Sequence, residues 1–95
     1  MKELPIPPAA VGSSSARELA RVWAADGNQH VSLEVGVWED PAAWGLFLVD
    51  LARHVSVAYQ QTQGLDPSST LERIRAALDA EWGAPTDSPA GGVMP

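Results

Sequence analysis

The sequence contains no cysteine. That excludes disulfides, zinc–thiolate and iron–sulfur sites, and a thiol nucleophile. It also fits a reducing compartment, so a cytoplasmic location is expected. Positive charge is scarce. Lys2, Arg17, Arg21, Arg53, Arg73 and Arg75 stand against 12 acidic residues, for a formal net charge of −6. Nucleic acid is bound through clustered basic residues that neutralise phosphates, and these six are scattered over an acidic background. Binding to nucleic acid or to an anionic membrane surface is therefore not expected. Long apolar runs are missing too. The most apolar stretch, Pro41 to Val49, is followed at once by Asp50, Arg53 and His54, which leaves it far short of a membrane span. The first twelve residues, MKELPIPPAAVG, contain no apolar h-region, so they do not read as a secretory signal.

What remains is enough for one domain. The chain has 95 residues, of which 45% are hydrophobic, with 4 Trp. Residues 1–16 read as an extended, Pro-rich arm and linker, since Leu4 to Pro8 alternates apolar residues with proline. Residues 17–83 read as a single α+β domain. Residues 84–95 are rich in Pro, Gly, Ser and Ala and read as a disordered tail. At this size one core supplies only about 3–5 kcal/mol, so a partner surface is expected to help.

Residues 17–37 allow two folds. Asp26-Gly27-Asn28 signals a β-turn. With Gly27 and Asn28 as the loop, Ala24 faces Val31, Val22 faces Leu33, Ala20 faces Val35, and Arg21 opposes Glu34. One face of the hairpin is then wholly apolar. The alternative is a helix followed by a strand. Ser15 and Glu18 make a capping box for it, and Leu19, Val22 and Trp23 have helical spacing. That version leaves residues 30–37 as a lone strand, which needs an intermolecular partner for its backbone groups. The hairpin is preferred.

Two helices follow. Asp40-Pro41 places an N-cap before a proline at the first helical position, and Gly64 ends the helix after Gln63. Trp44, Phe47, Leu48, Leu51, Val55, Ala58 and Tyr59 make one apolar stripe. Leu46, Val49 and Val57 lie on the opposite side around Arg53 and are the candidate interface. The last helix starts at Asp66-Pro67, with Ser69 and Glu72 as a capping box. Leu71, Ile74, Leu78 and Trp82 mark its buried side, and Gly83 and Pro85 end it. The expected architecture is a β-hairpin followed by two amphipathic helices packed on one of its faces.

The candidate ligand or partner cluster is Trp38, Glu39, Asp50, Arg53 and His54. Trp38 and Glu39 begin a segment that ends at Trp44, with carboxylates beside two indoles. Capping explains Asp40 without any ligand. Asp50 and His54 are one helical turn apart, the spacing of a carboxylate-oriented base or half a metal site, and equally that of a surface pair. Arg53 has a planar fork suited to a carboxylate or phosphate, or it pairs with Asp50. His30, His54 and Glu39 match no metal-ligand spacing. No catalytic residue, metal ligand or cofactor is assigned.

The run Gln29 to Tyr59, most specifically Trp38-Glu39-Asp40-Pro41 through Trp44-Gly45 and Leu48-Val49-Asp50-Leu51-Ala52-Arg53-His54, resembles an uncharacterised family of short bacterial proteins known only as a domain of unknown function. The resemblance runs over about residues 3–82. It implies a stand-alone bacterial domain and supplies no activity, cofactor or catalytic residue. The function expected from the residues is a non-catalytic, self-associating or protein-interaction module, a homodimer or the partner of another protein. The alternative is a small enzyme or ligand-binding protein built on the Trp, carboxylate and His cluster.

Overall fold

A computed structural model describes residues 2–86 and 90–93. They fall into two compact units that divide between Val37 and Trp38, inside the span read above as one domain. The first contains the N-terminal arm, a hairpin and residues 90–93. The second contains two long helices.

The hairpin forms because of its turn. Strand β1 runs over Ala20–Ala25 and strand β2 over Asn28–Leu33, paired antiparallel. Asp26 and Gly27 both take positive φ, 53° and 77°. A two-residue turn of this hand matches the twist of the strands, and Asp-Gly tolerates it. The loop is therefore Asp26-Gly27, one residue earlier than expected, because a turn with both central residues at positive φ favours the Asp-Gly order, with glycine second. The register moves by two: Val22 pairs with Val31, Ala20 with Leu33 and Arg21 with Ser32. A shift of two preserves which face each side chain occupies. Ala20, Val22, Val31 and Leu33 still share one face, while Trp23 meets His30 on the other.

Glu34 consequently does not oppose Arg21. Its backbone N–H donates to Leu19 O at 3.0 Å, and its carboxylate pairs with Arg17. Val35–Val37, expected to continue the strand, make a single 3-10 turn. Gly36 sits at its centre, where a strand is weak. The helical alternative for residues 16–25 is not adopted, and Ser15 bonds to Ser13 rather than capping a helix.

Two further elements complete this unit. Helix α1, Pro8–Val11, is one turn inside the arm that was expected to be extended. Strand β3, Ala90–Val93, lies parallel to β2 and makes a sheet of order β1-β2-β3. The composition of that tail reads as disorder, yet strand pairing uses backbone groups that every one of these four residues carries. Residues 87–89, 94 and 95 of the expected tail lie outside the described residues.

The second unit is a helical hairpin. Helix α2 runs over Ala42–Gln63 and α3 over Pro67–Gly83, and the two pack against each other. Asp40 Oδ1 accepts from Ala42 N at 2.9 Å, and Pro41 has helical dihedrals, so this start is built as expected. Gly64 closes α2 with φ 70°, and its N–H donates to Gln60 O at 2.9 Å. Asp66 caps α3 by accepting from Ser69 N at 3.0 Å. Ser69 is thus a donor in the first turn and not the cap of a second box.

Burial is slight. Among the described residues no apolar side chain is fully buried, and Ser56 alone is, at 2% exposure. Its hydroxyl donates to Arg53 O at 2.7 Å, which removes most of the cost of burying it. Ala52 and Val55, beside it on α2, are half-buried. In the middle of α2 the most buried side is therefore the one around Ala52, Val55 and Ser56. Leu48, Leu51 and Tyr59, read as buried, stand open, as do Leu78 and Trp82 on α3.

Candidate functional site

Trp38, Trp44 and Phe47 are gathered at the start of α2. The Trp38 and Trp44 ring centroids are 5.0 Å apart at 79°, and Trp44 and Phe47 are 5.3 Å apart at 81°. Trp38 reaches Phe47 at 6.3 Å. Edge-to-face pairs at these separations are in direct contact. The three rings fill one another's space and staple the chain onto the first turns of the helix. Glu39 beside them is exposed and makes no ion pair among the described residues.

Asp50 and His54 do meet, Oδ2 to Nε2 at 3.3 Å, with side chains 72% and 77% exposed. From the cap at Asp40 to His54 the helix rises about 20 Å. Trp38 packs on Phe47, about one helical turn before Asp50, while Glu39 precedes the helix. His30 lies on β2 opposite Trp23, in the other unit. Among the described residues no three His, Asp or Glu side chains converge to hold a metal ion.

Arg53 makes no ion pair among the described residues, and the Asp50 carboxylate lies beside His54. It stands exposed on α2. On the same side Leu46 is 76% exposed, Val49 51% and Val57 45%. An exposed apolar line interrupted by an aspartate and an arginine is the most distinctive surface of this unit. Patches of this kind mark interaction surfaces.

One polar feature of the first unit was missed by the sequence reading. An open groove of about 540 Å³ is lined by Arg17, Glu18, Arg21, Ser32 and Glu34, with Ala20 and Leu33. Its charges neutralise one another. Arg21 donates through Nε to Glu18 at 2.9 Å, has a terminal guanidinium nitrogen 3.6 Å from Glu3, and has its pKa raised chiefly by the Glu18 bond. The signal was present as opposite charges at 17, 18, 21 and 34, and the register was needed to see which of them pair.

No helix among the described residues is long and apolar enough to cross a membrane. Among curated proteins no sequence matches this chain. Among solved structures, one similar chain comes from the photosynthetic bacterium Rhodopseudomonas palustrus, a protein provisionally called a pyruvate dehydrogenase. It shares 36% sequence identity over 93% of this chain and 90% of that one, with a TM-score of 0.71. The sequence profile of a family described as a domain of unknown function, DUF5076, matches residues 3–86. The chain, with its hairpin and two long helices, therefore belongs to the DUF5076 family.

Proposed function

We propose that this chain is a non-catalytic module that associates with itself, acting in a bacterial cytoplasm. The observation that carries this reading is the open line Leu46, Val49 and Val57 on a helix whose own unit, among the described residues, buries no apolar side chain fully. Apolar surface left in water is unfavourable by about 25 cal/mol per Å², so covering it drives association. The bacterial relative and the lack of cysteine support the compartment.

The enzymatic reading draws on the name given to the Rhodopseudomonas protein. Oxidative decarboxylation of a 2-oxo acid needs a cofactor as electron sink and positioned acid–base groups around it. In this chain the Asp50 and His54 side chains stand in solvent, 72% and 77% exposed. The interaction reading is preferred on that geometry. Light scattering on the wild-type chain and on Val49→Asp separates the two. Self-association of the wild type that Val49→Asp abolishes with helix content intact is the expected result. A monomeric wild type that turns over pyruvate in the presence of thiamine diphosphate and an electron acceptor would overturn it.

A further inference from the structure

The open line of α2 is chemically palindromic. At 100° per residue Leu46, Asp50, Arg53 and Val57 lie within about 60° of one another around the helix axis. Along the axis, Leu46 and Asp50 stand as far before the midpoint between residues 51 and 52 as Val57 and Arg53 stand after it. Turning the helix end over end about that midpoint therefore sets aliphatic against aliphatic and carboxylate against guanidinium.

We propose that two copies of the chain pair through α2, antiparallel, about a twofold axis at residues 51–52, so that Asp50 of each copy meets Arg53 of the other and Leu46 meets Val57. The proposal rests on the self-association reading above and specifies its interface. Self-complementarity is the requirement of a closed twofold contact, in which one patch must fit its own copy. Charge supports it, since each Arg53, without an ion pair among the described residues, gains a carboxylate, and each Asp50 can accept from a guanidinium as well as from His54. Leu46, Val49 and Val57, 76%, 51% and 45% exposed, supply the apolar part of that face. A parallel pairing would set Asp50 against Asp50 and Arg53 against Arg53, which like-charge repulsion disfavours.

The test uses the full chain with two charge reversals, Asp50→Arg and Arg53→Asp, followed by sedimentation equilibrium over about 1–100 µM. In the antiparallel register each variant confronts its own copy with like charges at both ends of the axis. Self-association of each is expected to weaken by roughly tenfold to a hundredfold. An equimolar mixture of the two pairs all cations with all carboxylates and is expected to restore the dimer as a heterodimer. Both positions are exposed helical sites, and circular dichroism of each variant confirms that the helices persist. A wild type of one-chain mass throughout the range overturns both this pairing and the self-association reading. A dimeric wild type whose variants associate equally well, or whose mixture restores nothing, overturns the antiparallel register and leaves self-association standing.

Discussion

Asp40 satisfies the N–H of Ala42 with one carboxylate oxygen, and Asp66 does the same for Ser69. Each helix therefore begins at a residue whose side chain removes an orphan donor. Asp40→Ala is expected to cost about 0.5–2 kcal/mol in urea unfolding, with the helix content of the folded state unchanged. A loss of association larger than the loss of stability would instead assign Asp40 to the interface. The other end of α3 has a similar device. Glu81 accepts from Thr86 twice, at its N–H (2.9 Å) and its hydroxyl (2.6 Å), and these bonds hold the Glu81 carboxyl below the usual glutamate range. A depressed carboxylate contributes stability that is present above its unfolded pKa and is lost as pH falls through the folded one. The Glu81 carboxyl resonance is expected to titrate at lower pH than a free glutamate. Thr86→Val should move it upward, by removing the hydroxyl donor while keeping the backbone one.

Elements are decided by turns and periods. The hairpin depends on two successive positive φ angles at Asp26 and Gly27. Nothing lies within 4 Å of where a Cβ on Gly27 would stand, so the objection to a side chain there is torsional and not steric packing. Gly27→Val is expected to destabilise the hairpin by about 1–2 kcal/mol, seen as faster amide exchange in β1 and β2. Unchanged exchange would show that the turn is not what sets the register. Helix α2 was legible almost to the residue, because Asp40-Pro41 and Gly64 mark its ends and the apolar period fills the space between. The hairpin was legible in its faces but not its register. Three turn-forming residues in a row leave the loop position open, and only the dihedrals choose between Asp26-Gly27 and Gly27-Asn28. The candidate cluster was legible only in pairs. Residues four apart on α2 meet by construction, whereas Trp38 and Glu39 precede the helix, where no period places their side chains.

At the scale of the whole molecule the open apolar surface has a thermodynamic consequence. If a second copy covers it, the folded state is stabilised by mass action, and the melting temperature must rise with protein concentration. Raising the concentration from about 5 to 500 µM is expected to raise it by several degrees for a chain of this size. A melting temperature independent of concentration would place the cover elsewhere.

The sequence by itself determined the hairpin followed by two long helices, the ends of those helices, the absence of thiol and zinc–thiolate chemistry, and the family. All of these follow from local rules: which residue caps a helix, which tolerates positive φ, which side chain is present at all. Tertiary structure decided three things that no local rule reaches. It set the register of β1 on β2, which depends on two turn residues acting together. It brought Ala90–Val93 alongside β2, a pairing made by backbone groups that carry no sequence signature. And it chose which side of α2 is buried. The period offers two apolar sides, and burial is greatest beside the first of them, around Ala52, Val55 and Ser56, which leaves Leu46, Val49 and Val57 in the open.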